Sequence, residues 1–156
     1  MRIRTLIAAA FAALACALPA TAQTTPEQEV RAVVDRMFNG MRAGDSTAVR
    51  AVFHPQARLQ SVVARGDSVA VMTEPVDGFV QAVGAPHEQV WDERISNVEI
   101  RVDGEMATAW MNYAFHLGDR FSHCGVNAFQ FVRTARGWQV VQIIDTRRRQ
   151  CGTAAI

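Results

Sequence analysis

The stretch Phe121-Ser122-His123-Cys124-Gly125-Val126-Asn127-Ala128-Phe129-Gln130-Phe131 alternates with the period of a half-buried strand, but its apolar face carries His123 and Asn127. A buried imidazole or carboxamide without a partner costs roughly 1–3 kcal/mol. That face must therefore supply partners or line something other than packed hydrocarbon. Pairing the neighbouring strands brings Tyr113, Asp145 and Arg147 to the same side, with Met111 and Phe129 as apolar walls. An imidazole with a pKa near ~6.5 moves protons at neutral pH. A phenol or amide donor polarises a carbonyl, and Asp145 adds a carboxylate. Five convergent polar groups in an apolar setting are the composition of a small-molecule pocket. Each also has a plainer reading: Tyr113 and His123 as satisfied core residues, Asn127 and Asp145 as a closed pair, and Arg147-Arg148-Arg149 as a solvated strand end.

Composition removes several other chemistries. All sixteen basic residues are arginine, which excludes Schiff-base or general-base lysine chemistry. The four histidines show no metal-ligand spacing, so neither a metal nor a cofactor is expected. The start of the chain reads as a secretory signal: Arg2 and Arg4, an apolar run from Leu6 to Leu18, then Ala20-Thr21-Ala22. The run is too short to span a bilayer, which needs roughly 20 apolar residues. Leu14-Ala15 before Cys16 leaves a lipoprotein reading open. Cleavage after Ala22 would give a periplasmic or secreted domain of residues 23–156, with the formal charge changed from +1 to −1. That balance offers no global attraction to nucleic acid.

The elements that position the site can be read from spacing. Thr25-Pro26-Glu27-Gln28 is a capping box, and Val30, Val33, Val34, Met37, Phe38 and Met41 follow helical periodicity up to Gly44. A second helix fits Asp45 to Phe53, and a third is marked by Val76, Phe79, Val80 and Val83. Strands are expected at Ala57 to Ala64 and Val69 to Met72, and from Val90 onward the pattern is all strand. Asp103-Gly104 signals a I′ hairpin, with Val102 opposite Glu105 and Ile100 opposite Ala107. Ala135-Arg136-Gly137 fits a three-residue loop, with Thr134 opposite Trp138 and Phe131 opposite Val141. Asn127 then faces Asp145, and Gly125 faces Arg147. The outer face would carry Trp110, Val126, Ala128, Gln130, Val132, Val140 and Ile144, apolar enough to suggest a homodimer. The same register sets Cys124 across from Arg148, three residues before Cys151. A disulfide between the two cysteines is expected in an oxidising compartment, the alternative being two free thiols. The fold class is α+β.

With these elements placed, the chain resembles the nuclear transport factor 2-like superfamily, which includes SnoaL-like cyclases, ketosteroid isomerases and scytalone dehydratases. The resemblance rests on the capped helix running to Ala43-Gly44-Asp45, on Val52-Phe53-His54-Pro55-Gln56-Ala57-Arg58-Leu59, and on the hairpin ending Gly137-Trp138-Gln139-Val140-Val141. The segment Ser122 to Gln130 and the ending Asp145-Thr146-Arg147-Arg148 are similar to exported members labelled putative lumazine-binding. It implies a cone, a curved antiparallel sheet wrapped around N-terminal helices with a pocket at its open end. Catalytic positions carry over poorly. The isomerase base corresponds to Ser61, with Gln60 beside it, and the first-helix tyrosine to Met37. Only the second oxyanion donor survives, as Asn127. Asp145 stands where epoxide-hydrolysing relatives keep an aspartate, but Met111 and Tyr113 replace their other polar residues. The function implied is an exported protein binding a small, mostly apolar molecule with one polar group. The alternatives are a dehydratase or isomerase using His123 with Tyr113, Asn127 or Asp145, and an interaction protein dimerising through its outer sheet.

Overall fold

The computed structural model describes residues 23–151, so the signal-peptide reading of residues 1–22 lies outside the described residues. Helices α1 (Pro26–Ala43), α2 (Ser46–Val52) and α3 (Val76–Gly84) pack against six strands. These are β1 (Phe53–Arg65), β2 (Ser68–Glu74), β3 (Trp91–Asp103), β4 (Met106–Leu117), β5 (Arg120–Thr134) and β6 (Gly137–Thr146). The sheet is curved and unclosed, with the order β2-β1-β6-β5-β4-β3. Among the described strands only β1 and β6 run parallel.

The expected helix start is built as read. Thr25 Oγ1 accepts from the Gln28 amide, and the Thr25 amide donates to Gln28 Oε1, satisfying two orphan donors of the first turn. Gly44 closes α1 at φ 67°, a conformation that glycine adopts without a Cβ penalty. The buried stripe of α1, with Val49 and Val52 of α2, meets Ala107, Ala109, Met111, Phe129, Phe131, Trp138, Val140 and Ile143 in one core.

Both hairpin registers differ from expectation, with different consequences. In the first, Val102 pairs with Ala107 and Ile100 with Ala109, and the loop is Gly104-Glu105. Positive φ falls on Gly104 alone in that loop, which fits a II′ and not a I′ turn. The two-residue displacement leaves every side chain on its expected face, because side chains alternate with period two. In the second, Thr134 pairs with Gly137 and Phe131 with Val140, one residue off. A bulge between Gln130 and Phe131 then absorbs the difference, and Phe129–Ile143 and Asn127–Asp145 pair as expected. Val140 consequently faces the core, fully buried, and not the outer surface.

Candidate functional site

Five strands deliver polar groups to the open end of the cone. Asn127 of β5 lies between Met111 of β4 and Asp145 of β6, and the parallel pairing of β1 with β6 sets Ser61 opposite Asp145. Asp145 is an acceptor hub: Ser61 Oγ donates to its Oδ1 at 2.5 Å, and Arg147 Nε to its Oδ2 at 2.9 Å. The Tyr113 hydroxyl lies 3.1 Å from Asp145 Oδ2 and 2.9 Å from the Thr146 carbonyl, two acceptors for its single proton. Gly125 makes this arrangement possible. A Cβ there would overlap the Thr146 carbonyl and come within 2.8 Å of Tyr113 Cε1.

A second hydrogen bond runs from Asn127 Nδ2 to Glu93 Oε1, at 2.7 Å. Glu93 is the residue that sequence reasoning missed. Val98, Ile100 and Val102 point inward, and stepping back by twos from Val98 reaches Ser96, Arg94 and Asp92. The register shifts between Ser96 and Glu99, where Asn97 adopts φ 50°. That bulge inverts the phase and turns Glu93 into the cone opposite Phe115. Its usable signal was local: Glu93 alternates with Trp91 and Ile95, both apolar.

These groups line a cavity of about 100 Å³, with Met37, Phe38, Leu59, Phe129 and Ile143 forming its apolar wall. Tyr113, His123, Asn127, Asp145 and Arg147 all reach the cavity, as do Glu93 and Ser61. Met111, by contrast, is wholly buried in the core and does not reach the cavity wall. His123 packs its ring edge-on to Tyr113 at 5.7 Å and against Phe115 at 5.1 Å, while Nδ1 lies 3.1 Å from Ser122 Oγ.

The electrostatics separate the groups. Burial pushes Glu93 from its ordinary 4.5 up to about 7. The charge of Asp145 adds to this, while the Asn127 hydrogen bond and Arg147 oppose it. Burial and then Arg147 lower the His123 imidazole, which favours its neutral form, with Asp145 partly opposing. Burial, then the charges of Asp145 and Glu93, raises Tyr113 well above the usual phenol range, so it remains protonated. Burial alone would lower Arg147, but the hydrogen bond and charge of Asp145 outweigh it and raise it. The site thus holds a carboxyl raised toward neutrality, an imidazole biased to its neutral form, and a phenol that keeps its proton. Among the described residues no group of three His, Cys, Asp or Glu side chains is placed to hold a metal ion. No helix among them is long and apolar enough to cross a membrane.

Beside the mouth, Cys124 and Cys151 form the expected disulfide, with Cα atoms 6.3 Å apart. The Cys124 and Arg148 backbones exchange two hydrogen bonds of 2.9 Å.

Comparison with known proteins agrees with this architecture. A family described as "Putative lumazine-binding" matches residues 25–143. A nuclear transport factor 2-like protein of unknown function from Shewanella baltica is 18% identical, with a TM-score of 0.62, over 78% of this chain and 93% of that one. A nuclear transport factor 2-like protein with a cystatin-like fold from Novosphingobium aromaticivorans is 15% identical, with a TM-score of 0.63, over 81% and 84%. Another, of unknown function, from Pseudomonas putida is 16% identical, with a TM-score of 0.62, over 83% and 92%. A search of curated proteins finds no match. At these identities the solved structures speak to the fold alone.

Proposed function

This chain belongs to the putative lumazine-binding family of the nuclear transport factor 2-like superfamily, and from that premise we propose that it is an exported small-molecule-binding protein. The observation that carries this reading is the divided lining of the cavity. Hydrocarbon from α1, β1 and β6 faces Glu93, Tyr113, His123, Asn127 and Arg147 across about 100 Å³. Space of that order suits one small ring carrying a carbonyl or hydroxyl. The bicyclic compound in the family's description would require the cavity to widen. Thermal-shift titration with small cyclic ketones, phenols and lumazine tests this. A ligand at about a hundred times its Kd stabilises by roughly 2.7 kcal/mol. No stabilisation by any member of the panel at millimolar concentration would remove the reading. Export is tested by the intact mass of protein recovered from the periplasm or medium, which should begin at Gln23.

A second reading, a dehydratase or isomerase, is favoured by Glu93, whose carboxyl titrates near the pH where a general base works best. Tyr113 and Asn127 have donors engaged by Asp145 and Glu93, so the proton-moving groups in this reading are Glu93 and His123. It requires solvent deuterium to enter a bound cyclic ketone, with the exchange lost in Glu93→Gln or His123→Ala. Absence of exchange at saturating ketone leaves the binding role alone. We further propose a homodimer through the outer sheet, where Trp110 and Met106 are 55% and 56% exposed. A monomer in sedimentation at micromolar concentration would contradict it.

A further inference from the structure

Beyond the mouth of the cone lies a groove of about 520 Å³ whose walls include Arg120, Arg147, Arg148 and Arg149, with Phe121 and His123. His123 and Arg147 line both the groove and the inner cavity, so these two side chains border both spaces. Four of the sixteen arginines of a nearly neutral chain are gathered here. Among the described residues Arg120, Arg148 and Arg149 have no acidic partner. Asp119 precedes Arg120 in the chain without forming an ion pair with it. The one carboxylate in contact, Asp145, holds Arg147 by Nε alone. The four terminal N–H groups of that guanidinium have no protein acceptor among the described residues, and they form the fork that matches a carboxylate or phosphate.

Uncompensated like charges repel, and a solvated chain end would spread them. Here they are held together. The paired Cys124 and Arg148 backbones fix one side of the arginine run, and the Cys124–Cys151 bond fixes the other. Tethering the backbone that carries these side chains removes part of the entropy that binding would otherwise cost.

We propose that this arginine groove binds the anionic group, a carboxylate or phosphate, of the same small molecule whose uncharged end occupies the cone. The inference rests on the cavity reading above and adds the ligand's charge. The ring lies against the wall formed by Phe129 and Ile143, its polar substituent passes His123, and the anion sits outside on Arg147 and its three neighbours. The groove also gives the rest of the ligand the room that about 100 Å³ inside the cone does not.

Benzoate and benzamide test this directly, being nearly the same shape with and without the charge. Each is titrated into the oxidised protein and into the Arg120→Gln/Arg148→Gln/Arg149→Gln variant, with the ring resonances of His123 as reporter. The expected result is that benzoate binds at least tenfold more tightly than benzamide, and that the variant loses this preference while its benzamide affinity is unchanged. Equal affinity in the unmodified protein overturns the inference and leaves the cavity reading standing. A preference undiminished in the variant overturns it too, since the three arginines beside Arg147 would then contribute nothing to it. Should neither ring compound nor any member of the panel above bind, the cavity reading fails and inorganic phosphate decides the groove. Phosphate-dependent shifts of His123 that vanish in the variant support an anion site, and none in the unmodified protein overturns it.

Discussion

Strands β4, β5 and β6 build both ends of the cone, and the two ends are held by different forces. Toward the hairpins their inner side chains are Ala107, Ala109, Phe131, Trp138 and Val140, all buried against the helices. A peripheral clasp ties this end to α1, where Glu29 accepts from Trp138 Nε1 at 3.1 Å and pairs with Arg133 at 3.2 Å. Toward the mouth the same strands carry Tyr113, Asn127 and Asp145, and the stabilising contacts become directional. Among the described residues no buried side-chain nitrogen or oxygen lacks a partner, so no buried polar atom at this end depends on a ligand for its hydrogen bond. Burial of hydrocarbon is additive in area and indifferent to orientation. A hydrogen-bonded cluster instead stands or falls with each donor. One end decides that the chain folds, and the other decides what can enter.

The largest expected effect breaks the apolar end. Phe131→Ala empties a site with 1% exposure and should cost about 3–5 kcal/mol in denaturant unfolding. Ser61→Ala at the mouth removes one of three donors to Asp145, leaving Tyr113 and Arg147 in place, and should cost only about 1 kcal/mol. Equal costs would mean that the two ends do not differ as described.

A covalent bond does at the mouth what hydrocarbon does at the hairpins. Replacing Cys124 and Cys151 together by alanine should lose roughly 3–4 kcal/mol by the chain-entropy estimate, given their separation of 27 residues. Thermal unfolding with and without reductant measures the same quantity in the unmodified protein. A double variant as stable as the oxidised protein would show that the mouth needs no tether.

Legibility in the sequence follows the same division. The helices were readable because capping and periodicity are local: Thr25, Gln28 and Gly44 mark ends, and α1 shows its stripe without reference to the sheet. The inner faces of β4 and β5 were readable because alternation survives a register error of two. Legibility failed at the bulges. One beside Asn97 hid Glu93, and another near Val141 moved Val140 from the expected outer face into the core. Each changes phase by one residue and inverts everything beyond it, and no composition rule marked either. Of the partners of Asp145, Tyr113 and Arg147 were placed on its face, but Ser61 was out of reach, since it stands 84 residues away and meets it only through the parallel β1–β6 pairing.

The sharpest test sets two adjacent carboxyls against each other. Asp92 faces outward between Arg42 and Arg94, at 2.7 and 2.8 Å. Burial alone would raise it, but these two arginines outweigh that and hold it below its ordinary value. Glu93, on the opposite face, is raised to about 7. A lowered folded-state pKa contributes stability above the unfolded value that is lost as pH falls, so Asp92→Asn should destabilise most at neutral pH. A raised one works in reverse. Between pH 4.5 and about 7 the folded protein holds a proton on Glu93 that the unfolded chain has released, so stability falls as pH rises through that window. The carboxamide introduced by Glu93→Gln cannot ionise but keeps an oxygen that accepts from Asn127. That variant should match the unmodified protein at pH 4.5 and exceed it by roughly 1–3 kcal/mol at pH 8. His123, with its lowered pKa, loses stability as pH falls through its unfolded value, but this contribution is common to both proteins and cancels in the difference. Urea unfolding at five pH values gives the curve. A difference that stays flat from pH 4.5 to 8 would show that Glu93 is ionised and solvated like any surface carboxylate, removing it as a proton carrier at the mouth of the cone.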